Sequence, residues 1–226
     1  MMVPPQVADG IRNLAVWVIP LILSITLHEA AHGIVAWKLG DDTAKRMGRV
    51  SANPANHIDP FGTILLPGML LLMGGGVMFG WAKPVPVNFG RLTPARLGMI
   101  LVAAAGPVTN LLLALISALL IYAIPYLPEA GRTFAAANLK NSIEINLVLA
   151  VFNMLPLPPL DGGRVLVGLL PRQLGYQVAQ LERYSLIILM VGLFLLPLAG
   201  FHPFSWLVGF PAQILEGWLF HITGLM

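Results

Sequence analysis

The sequence predicts an all-α polytopic membrane protein with about five to six transmembrane helices and a small membrane-re-entrant β element. Of its 226 residues, 57% are hydrophobic and only 10% are charged, and the mean hydropathy is +0.81. A soluble domain carries about a quarter charged residues, so this chain lacks the polar surface that water requires. Several apolar runs approach or exceed the length that crosses ~30 Å of hydrocarbon. We therefore expect a single membrane-embedded domain over residues 1–226, with its core at about 11–170 and accessory C-terminal helices at about 184–224.

The charge balance fits membrane topology better than nucleic-acid binding. The net charge is +3 and the sequence pI is about 9.5, but Lys and Arg in a membrane protein mark cytoplasmic loops. We expect the lipid bilayer as a partner and no nucleic acid. There are no cysteines, which excludes disulfides and thiolate metal sites. Residues 1–12 carry no basic cluster, so we expect no cleaved signal peptide.

The first predicted span covers residues 11–37 and is followed by a basic loop containing Lys38, Lys45, Arg46 and Arg49. The positive-inside rule makes that end cytoplasmic. The remaining spans are predicted at residues 97–124, 143–155, 184–198 and 205–222. The loop at 125–140 has few basic residues and is expected on the outer side.

Residues 47–87 are predicted to form the β element. We expect a short strand at 47–52, a turn at 53–57 and a re-entrant or interfacial element at 64–73, which is short for a span and ends in three glycines. An extended stretch at 77–87 contains Pro84 and Pro86, which suit only an edge strand.

The first span contains the pattern His28-Glu29-Ala30-Ala31-His32. Two imidazoles four residues apart lie on one face of a helix, where both can bind one zinc ion while Glu29 reaches a water molecule beside it. A soluble helix can carry this short pattern by chance. Ionisable groups at membrane depth cost several kcal/mol unless something compensates, and a divalent cation does so.

A zinc site with an open position for water needs a third protein ligand. The candidates in or near hydrophobic segments are Asp161, Glu144, His57, His202 and His221. We favour Asp161, because it follows a Pro-broken backbone and precedes two glycines that let amides approach its carboxylate. It could also serve only as a helix N-cap.

Other polar residues in apolar segments have two interpretations each. Gly106 and Asn110 share a helix face, where a small residue allows close packing and an amide can bond across the interface. Asn153 could bind a substrate carbonyl or a developing oxyanion, or satisfy backbone freed by Pro156. Prolines at 156, 158 and 159 leave carbonyls without helical partners, which predicts a wet cavity reaching Asp161.

Together these residues resemble the site-2 protease family of intramembrane zinc metalloproteases. The resemblance rests on His28-Glu29-Ala30-Ala31-His32, on Gly106-Pro107-Val108-Thr109-Asn110, and on the segment from Asn153 to Gly163, and it covers roughly residues 20–170. The stretch His57-Ile58-Asp59-Pro60-Phe61-Gly62 is similar to a compact branch of the family. The PDZ and CBS modules of many relatives are not found here, so their regulation cannot be carried over.

The resemblance implies one zinc ion bound by His28, His32 and Asp161, with Glu29 as general base and Asn153 assisting catalysis. It implies cleavage of transmembrane protein substrates within the bilayer. We expect a prokaryotic cell membrane, with the active site toward the cytoplasmic side because the basic loop follows the first span. His57, Asn110 and Asn53 are candidate substrate-binding residues. The role of His57 stays open between lining the site, binding a second metal and capping its turn.

Two other functions fit parts of the same pattern. A membrane metal-binding or metal-transport protein would use the same ligands, although a transporter should space its polar groups along a path across the bilayer. A scaffold that binds membrane helices without cutting them would not need Glu29. The sequence does not indicate the substrate, its cleavage site or the oligomeric state.

Overall fold

The computed structural model describes residues 5–65, 69 and 82–225, and these are mainly helical. The helices are α1 (Pro5–Lys38), α2 (Thr43–Arg46), α3 (Ala95–Ile121), α4 (Glu129–Asn153), α5 (Asp161–Leu169), α6 (Arg172–Ala179), α7 (Glu182–Met190) and α8 (Phe210–Thr223). Short helical turns occur at Pro54–Asn56, Pro60–Leu65, Phe89–Arg91, Ile124–Tyr126, Val191–Leu195, Leu196–Leu198 and Ser205–Gly209.

Two described helical segments are long and apolar enough to cross a membrane, Leu14–Lys38 and Ala95–Tyr126. A third span is possible if Arg172–Ala179 and Glu182–Leu198, bent by 49°, count as one. The structure therefore supports a helical membrane protein but not the five to six spans that the sequence predicted. Helix α4 has the length of a span, but it contains four asparagines as well as charged residues, and these make it more polar than α1 and α3.

Helix α4 also begins earlier than predicted. We expected a loop at residues 125–140 and a span from 143, but the helix starts at Glu129, directly after Pro128. Proline fixes an extended backbone before the first turn, and a carboxylate in that turn is stabilised by the partial positive charge of the helix N-terminus. Pro128 and Glu129 are thus local signals for a helix start, and the prediction missed it because it followed the apolar run that begins at 143.

The predicted β element is not supported, since no strand occurs among the described residues. Residues 47–52, expected as a strand, form turns and bends. Residues 82–88, which we call the extended segment, run without a ladder partner, and two of its amides are bound by side chains: Glu29 accepts from Val85 N–H and Asp41 from Asn88 N–H. Most of the predicted re-entrant element at 64–73, and residues 77–81 of the predicted edge strand, lie outside the described residues.

Helices α1, α3 and α4 pack against one another and form the frame of the domain. Between α3 and α4 the buried side chains alternate small and large, with Ala114 and Ala118 facing Ile143 and Leu147. Alanines let the two backbones approach closely, which is how helices pack in a membrane. Helix α8 covers this cluster with Ala212 and Leu219.

A proline-rich bend at residues 154–160 joins α4 to α5. Its prolines supply no N–H groups, so α4 ends at Asn153 and a new helix begins at Asp161. A Cβ at Gly162 would lie 2.2 Å from the Met154 carbonyl oxygen, and one at Gly163 would lie 2.1 Å from the Pro158 nitrogen. The two glycines therefore let the first turn of α5 fold back onto the bend, which fixes the position of Asp161.

Candidate active site

His28, His32 and Asp161, which we call the ligand cluster, meet at the centre of the helical frame. Both histidines are buried, at 7% and 8% exposure. Their Nε2 atoms are 3.0 Å apart. The Asp161 Oδ2 atom lies 3.2 Å from His28 Nε2 and 3.4 Å from His32 Nε2. The structure thus joins two residues of α1 to one that lies 129 positions further along the chain.

The partners of the two Nδ1 atoms determine where each imidazole carries its hydrogen. His28 Nδ1 donates to the Asn110 side-chain oxygen at 2.5 Å, and His32 Nδ1 donates to the Val102 carbonyl oxygen at 2.7 Å. Because oxygens of this kind only accept, both hydrogens reside on Nδ1. Each Nε2 of a neutral ring therefore presents a lone pair to the centre of the cluster.

This donor set suits a cation. Two Nε2 atoms and a carboxylate oxygen converge, and Asp161 Oδ2 is buried without a hydrogen-bond partner despite its short distances to both rings. In a tetrahedral zinc site with bonds of about 2.0–2.1 Å, ligand atoms are about 3.3 Å apart. Spacings of 3.0 to 3.4 Å fit such a site. Among the described residues this is the group that could hold a metal ion.

Gly106 allows α3 to pass directly beside the two rings. A Cβ at this position would lie 2.4 Å from His28 Cε1 and 2.6 Å from His32 Nε2, and real contacts are never that short. The glycine is thus required by the close approach of helix and imidazoles. The predicted small-residue packing at Gly106 is seen here against the candidate metal ligands themselves.

Glu29 lies next to the cluster on α1 but is positioned from another direction. Its Oε2 atom accepts a hydrogen bond of 2.8 Å from the backbone N–H of Val85, in the extended segment. A carboxylate has two oxygens, so one can be held by an amide while the other exchanges a proton. A backbone N–H holds the carboxylate in place but does not give up its proton, so the carboxylate stays able to act as a base.

The extended segment is itself held by three residues of the region between α1 and residue 65, which we call the loop (residues 39–65). Arg49 is buried, and its guanidinium donates to the carbonyls of Lys83 at 2.5 Å and Pro84 at 3.2 Å. The His57 carbonyl accepts from Lys83 N–H at 2.9 Å. Asp41 accepts from Asn88 N–H at 2.6 Å. The loop therefore positions the backbone that positions Glu29.

Three predicted substrate-binding residues have other partners. Asn110 is fully buried and bonded at both ends of its amide, so it supports His28 and is not free to bind substrate. His57 is 2% exposed, and its Nε2 donates to the Ser51 carbonyl. Asn53 caps the turn at Pro54–Asn56 by accepting from Ala55 N–H. Both lie in the loop that supports the extended segment.

Asn153 occupies the last position of α4, and its Nδ2 donates to the Leu149 carbonyl at 3.0 Å. The second hydrogen of that amide is available to another acceptor. The other candidates for the third ligand are not in the cluster. Glu144, His202 and His221 are exposed, and His57 is buried in its own loop.

Apart from Asn110, whose amide was expected to bond across a helix interface, sequence reasoning did not find the residues that orient the candidate site. Val85 and Val102 act through their main chains, which no residue type reveals. Arg49 was assigned only to a basic loop. Asn146, which bonds Asn110, gave one usable signal, since a buried amide inside an apolar helix needs a partner.

Comparisons with known proteins agree with this geometry. The model of Peptidase family M50 matches residues 16–144 and 135–199. A Bacillus subtilis protein named "Putative zinc metalloprotease YwhC" is 46% identical over 188 residues, which is 81% of this chain and 82% of that protein. A Mycobacterium tuberculosis protein named "Putative zinc metalloprotease Rip2" is 31% identical over 204 residues, covering 90% of this chain and 72% of that one.

No solved structure matches the chain. The family match spans most of the described domain, and the relatives match over most of their own length. Both the catalytic metal and the class of reaction follow from these matches. The chain belongs to peptidase family M50, the site-2 proteases, and is a zinc metalloprotease of the membrane.

Proposed function

We propose that this chain hydrolyses peptide bonds within or near the transmembrane segment of membrane-protein substrates. One zinc ion is bound by His28, His32 and Asp161, Glu29 is the general base, and Asn153 assists. The observation that carries the proposal is the convergence of two imidazole nitrogens and one carboxylate oxygen within 4.8 Å of one another, next to an anchored carboxylate.

The location of the cluster supports cleavage inside the bilayer. The histidines belong to α1 within Leu14–Lys38, one of the two segments long and apolar enough to span. Large apolar side chains on the outside of the same helix, among them Trp17, Leu23 and Ile34, are exposed, as lipid contact requires. Lys38 ends α1 and the basic residues Lys45 and Arg46 follow it, so we place the active site in the cytoplasmic half of the membrane.

A zinc ion held by His28, His32 and Asp161 would supply Lewis acidity and would lower the pKa of a water molecule toward 7. Glu29 would act as the general base through the oxygen that Val85 does not hold, and would then deliver the proton to the leaving amine. Asn153 uses its remaining amide hydrogen to stabilise the negative charge that develops on the scissile carbonyl oxygen.

The substrate must unwind before it is cut, since a helix closes its own backbone hydrogen bonds. An edge strand such as the one predicted at 77–87 could hold an unwound substrate by β-augmentation. In the described part, the N–H groups of Lys83 and Val85 are already bonded to His57 and Glu29. The extended segment therefore serves first to hold Glu29, and a substrate strand would use groups other than these two.

Metal analysis combined with a cleavage assay tests the proposal. The purified chain in detergent micelles should contain one zinc ion and cleave at least one of a panel of single-span peptides. Glu29→Gln should keep the zinc and lose about 10²–10⁴-fold in rate. Asp161→Ala should lose both. Glu144→Gln, which changes an exposed carboxylate of α4, should lose neither.

Wild-type cleavage by Glu29→Gln would overturn the proposed chemistry. Metal flux in proteoliposomes without peptide cleavage would favour the metal-transport alternative instead.

A further inference from the structure

We propose that Asn146 is a positioning residue for zinc, acting through Asn110 to fix which nitrogen of His28 binds the metal. The inference rests on the proposed zinc site. It arises from a chain of hydrogen bonds that leads away from the ligand cluster between α3 and α4. We call this series of hydrogen bonds the relay, and it connects His28, Asn110, Asn146 and Ser142.

The donor and acceptor at each step of the relay are determined by its last member, Ser142. Asn146 Nδ2 donates to the Ser142 backbone carbonyl at 2.8 Å. A carbonyl only accepts, so the Asn146 amide must point its NH₂ group there and its oxygen toward Asn110. The Asn110 NH₂ group then donates to that oxygen at 2.8 Å. This leaves the Asn110 oxygen facing His28, where it accepts from Nδ1 at 2.5 Å.

Each amide therefore orients the next, and the result is the hydrogen on His28 Nδ1. If the Asn110 side-chain amide rotated by 180°, its NH₂ group would face His28 Nδ1. Nδ1 would then have to accept a hydrogen bond from it and could not carry a hydrogen. The hydrogen would move to Nε2, and the nitrogen facing the cluster could not bind a cation. Asn110 is 0% exposed and Asn146 is 1% exposed. Water therefore cannot replace either amide as a hydrogen-bond partner in the relay.

His32 needs no such relay, because its Nδ1 donates directly to the Val102 carbonyl. A backbone carbonyl cannot rotate, whereas an amide side chain can. The hydrogen bond that orients a metal-binding histidine commonly contributes 10–100-fold to metal affinity. We therefore expect His28 to depend on Asn146 in a way that His32 does not.

The test compares two buried asparagines of α4. Asn146→Leu removes the relay, and Asn141→Leu removes the hydrogen bond from Asn141 to the Val16 carbonyl, which joins α4 to α1 but does not reach the site. Zinc affinity is measured by chelator competition on the purified chain. We expect Asn146→Leu to bind zinc 10–100-fold more weakly and Asn141→Leu to stay within about twofold of the wild type.

A double variant separates positioning from packing. A carboxylate has two acceptor oxygens and no wrong orientation, so Asn110→Asp in the Asn146→Leu background should accept from His28 Nδ1 without a relay. We expect it to recover most of the lost affinity. A merely structural role for Asn146 predicts no recovery, since the substitution restores no packing.

Wild-type affinity in Asn146→Leu, an equal loss in Asn141→Leu, or no recovery in the double variant would each overturn the relay. These results are distinct from failure of the proposed function, which would appear as a wild-type chain that binds no zinc.

Discussion

The two sides of the candidate site are held by different parts of the molecule. The two histidines of the ligand cluster are oriented by the helical frame, through the Val102 carbonyl, the Asn110 amide and the glycine at 106, and Asp161 is positioned by the proline-rich bend. Glu29 is oriented by the extended segment, which is held by the loop through Arg49, His57 and Asp41. Metal binding should therefore depend on helix packing, and proton transfer on the loop.

This difference teaches that zinc content and activity can be separated by mutation. Substitutions in the frame should lower zinc affinity, and activity with it. Substitutions in the loop and the extended segment should lower the rate and leave the zinc in place. The following experiments test this division.

Gly106→Ala should have the largest effect. Its methyl group would lie within 2.4–2.6 Å of both imidazoles. The Nδ1 hydrogen bonds keep the rings against α3, so the rings can make room for the methyl group only by moving away and weakening these bonds. A shift of about 1 Å at a catalytic centre costs about 10²-fold in rate, and disturbing the bonds that orient metal-binding histidines costs about 10–100-fold in metal affinity. We therefore expect both cleavage and zinc affinity to fall by amounts of this size. Gly192→Ala is the control, since no described atom lies within 4 Å of its Cβ position. Normal zinc content in Gly106→Ala would refute the close approach.

Val85→Pro should remove the main-chain donor to Glu29. Proline has no N–H, and residues 84 and 86 are prolines already, so the extended backbone suits it. A hydrogen bond to a charged group contributes about 1.5–3 kcal/mol. We expect the cleavage rate to fall about 10–100-fold while the zinc content stays at one per chain. Val85→Ala shortens the same buried side chain but keeps the amide, and it should retain most of the activity. Equal losses in the two variants would assign the effect to packing.

Arg49→Met should weaken the same arrangement from one step further away. The guanidinium bonds to the Lys83 and Pro84 carbonyls would be lost, and methionine would replace the buried stem. Because Val85 N–H remains, we expect a smaller fall in rate, about 3–10-fold, again with zinc retained. Arg46→Met, which removes an exposed ion pair with Asp42, should have little effect. Loss of zinc in Arg49→Met would show that frame and loop are not independent.

The two sides also differ in how far the sequence predicts them. The spacing of His28, Glu29 and His32 is local, so the helix period places the histidines together. Asp161 could be proposed because few ionisable groups occur near apolar segments, and the structure brings it to the histidines. The partners of Glu29 could not be found, because they are main-chain groups brought close by a loop. In the extended segment, Glu29, Asp41 and the His57 carbonyl bind amides that a ladder would use, and these partners are distant in the sequence.

The error in the number of spans has a different cause. The apolar runs at 143–155, 184–198 and 205–222 were each counted as a span, but among the described residues two segments are long and apolar enough to cross a membrane, or three if the bent pair counts as one. The run at 143–155 is the end of α4, whose asparagines and charged residues make the whole helix more polar than α1 and α3. Asn141 and Asn146 are tolerated inside it because they are buried and bonded within the frame.

The smallest predicted effect concerns Asp41, which anchors the far end of the extended segment. The carboxylate is fully buried, and burial alone would raise its pKa, but hydrogen bonds from the Thr43 hydroxyl and from the Asn88 and Thr43 amides outweigh burial and lower the pKa. A lowered pKa in the folded state means that the stabilisation is present above the unfolded value of about 3.9 and is lost as pH falls through the folded value.

We therefore expect Asp41→Asn to lower the thermal midpoint at pH 7 by a few degrees, and we expect the difference from the wild type to shrink as pH falls below about 4. Asp42→Asn is the matched control, because that neighbouring carboxylate is only partly buried and pairs with the exposed residues Arg46 and Arg91. Zinc content at pH 7 should be normal in both variants. A stability difference for Asp41→Asn that does not change between pH 7 and pH 3 would show that the ionised carboxylate does not hold this part of the loop. The support of Glu29 would then depend on Arg49 and His57.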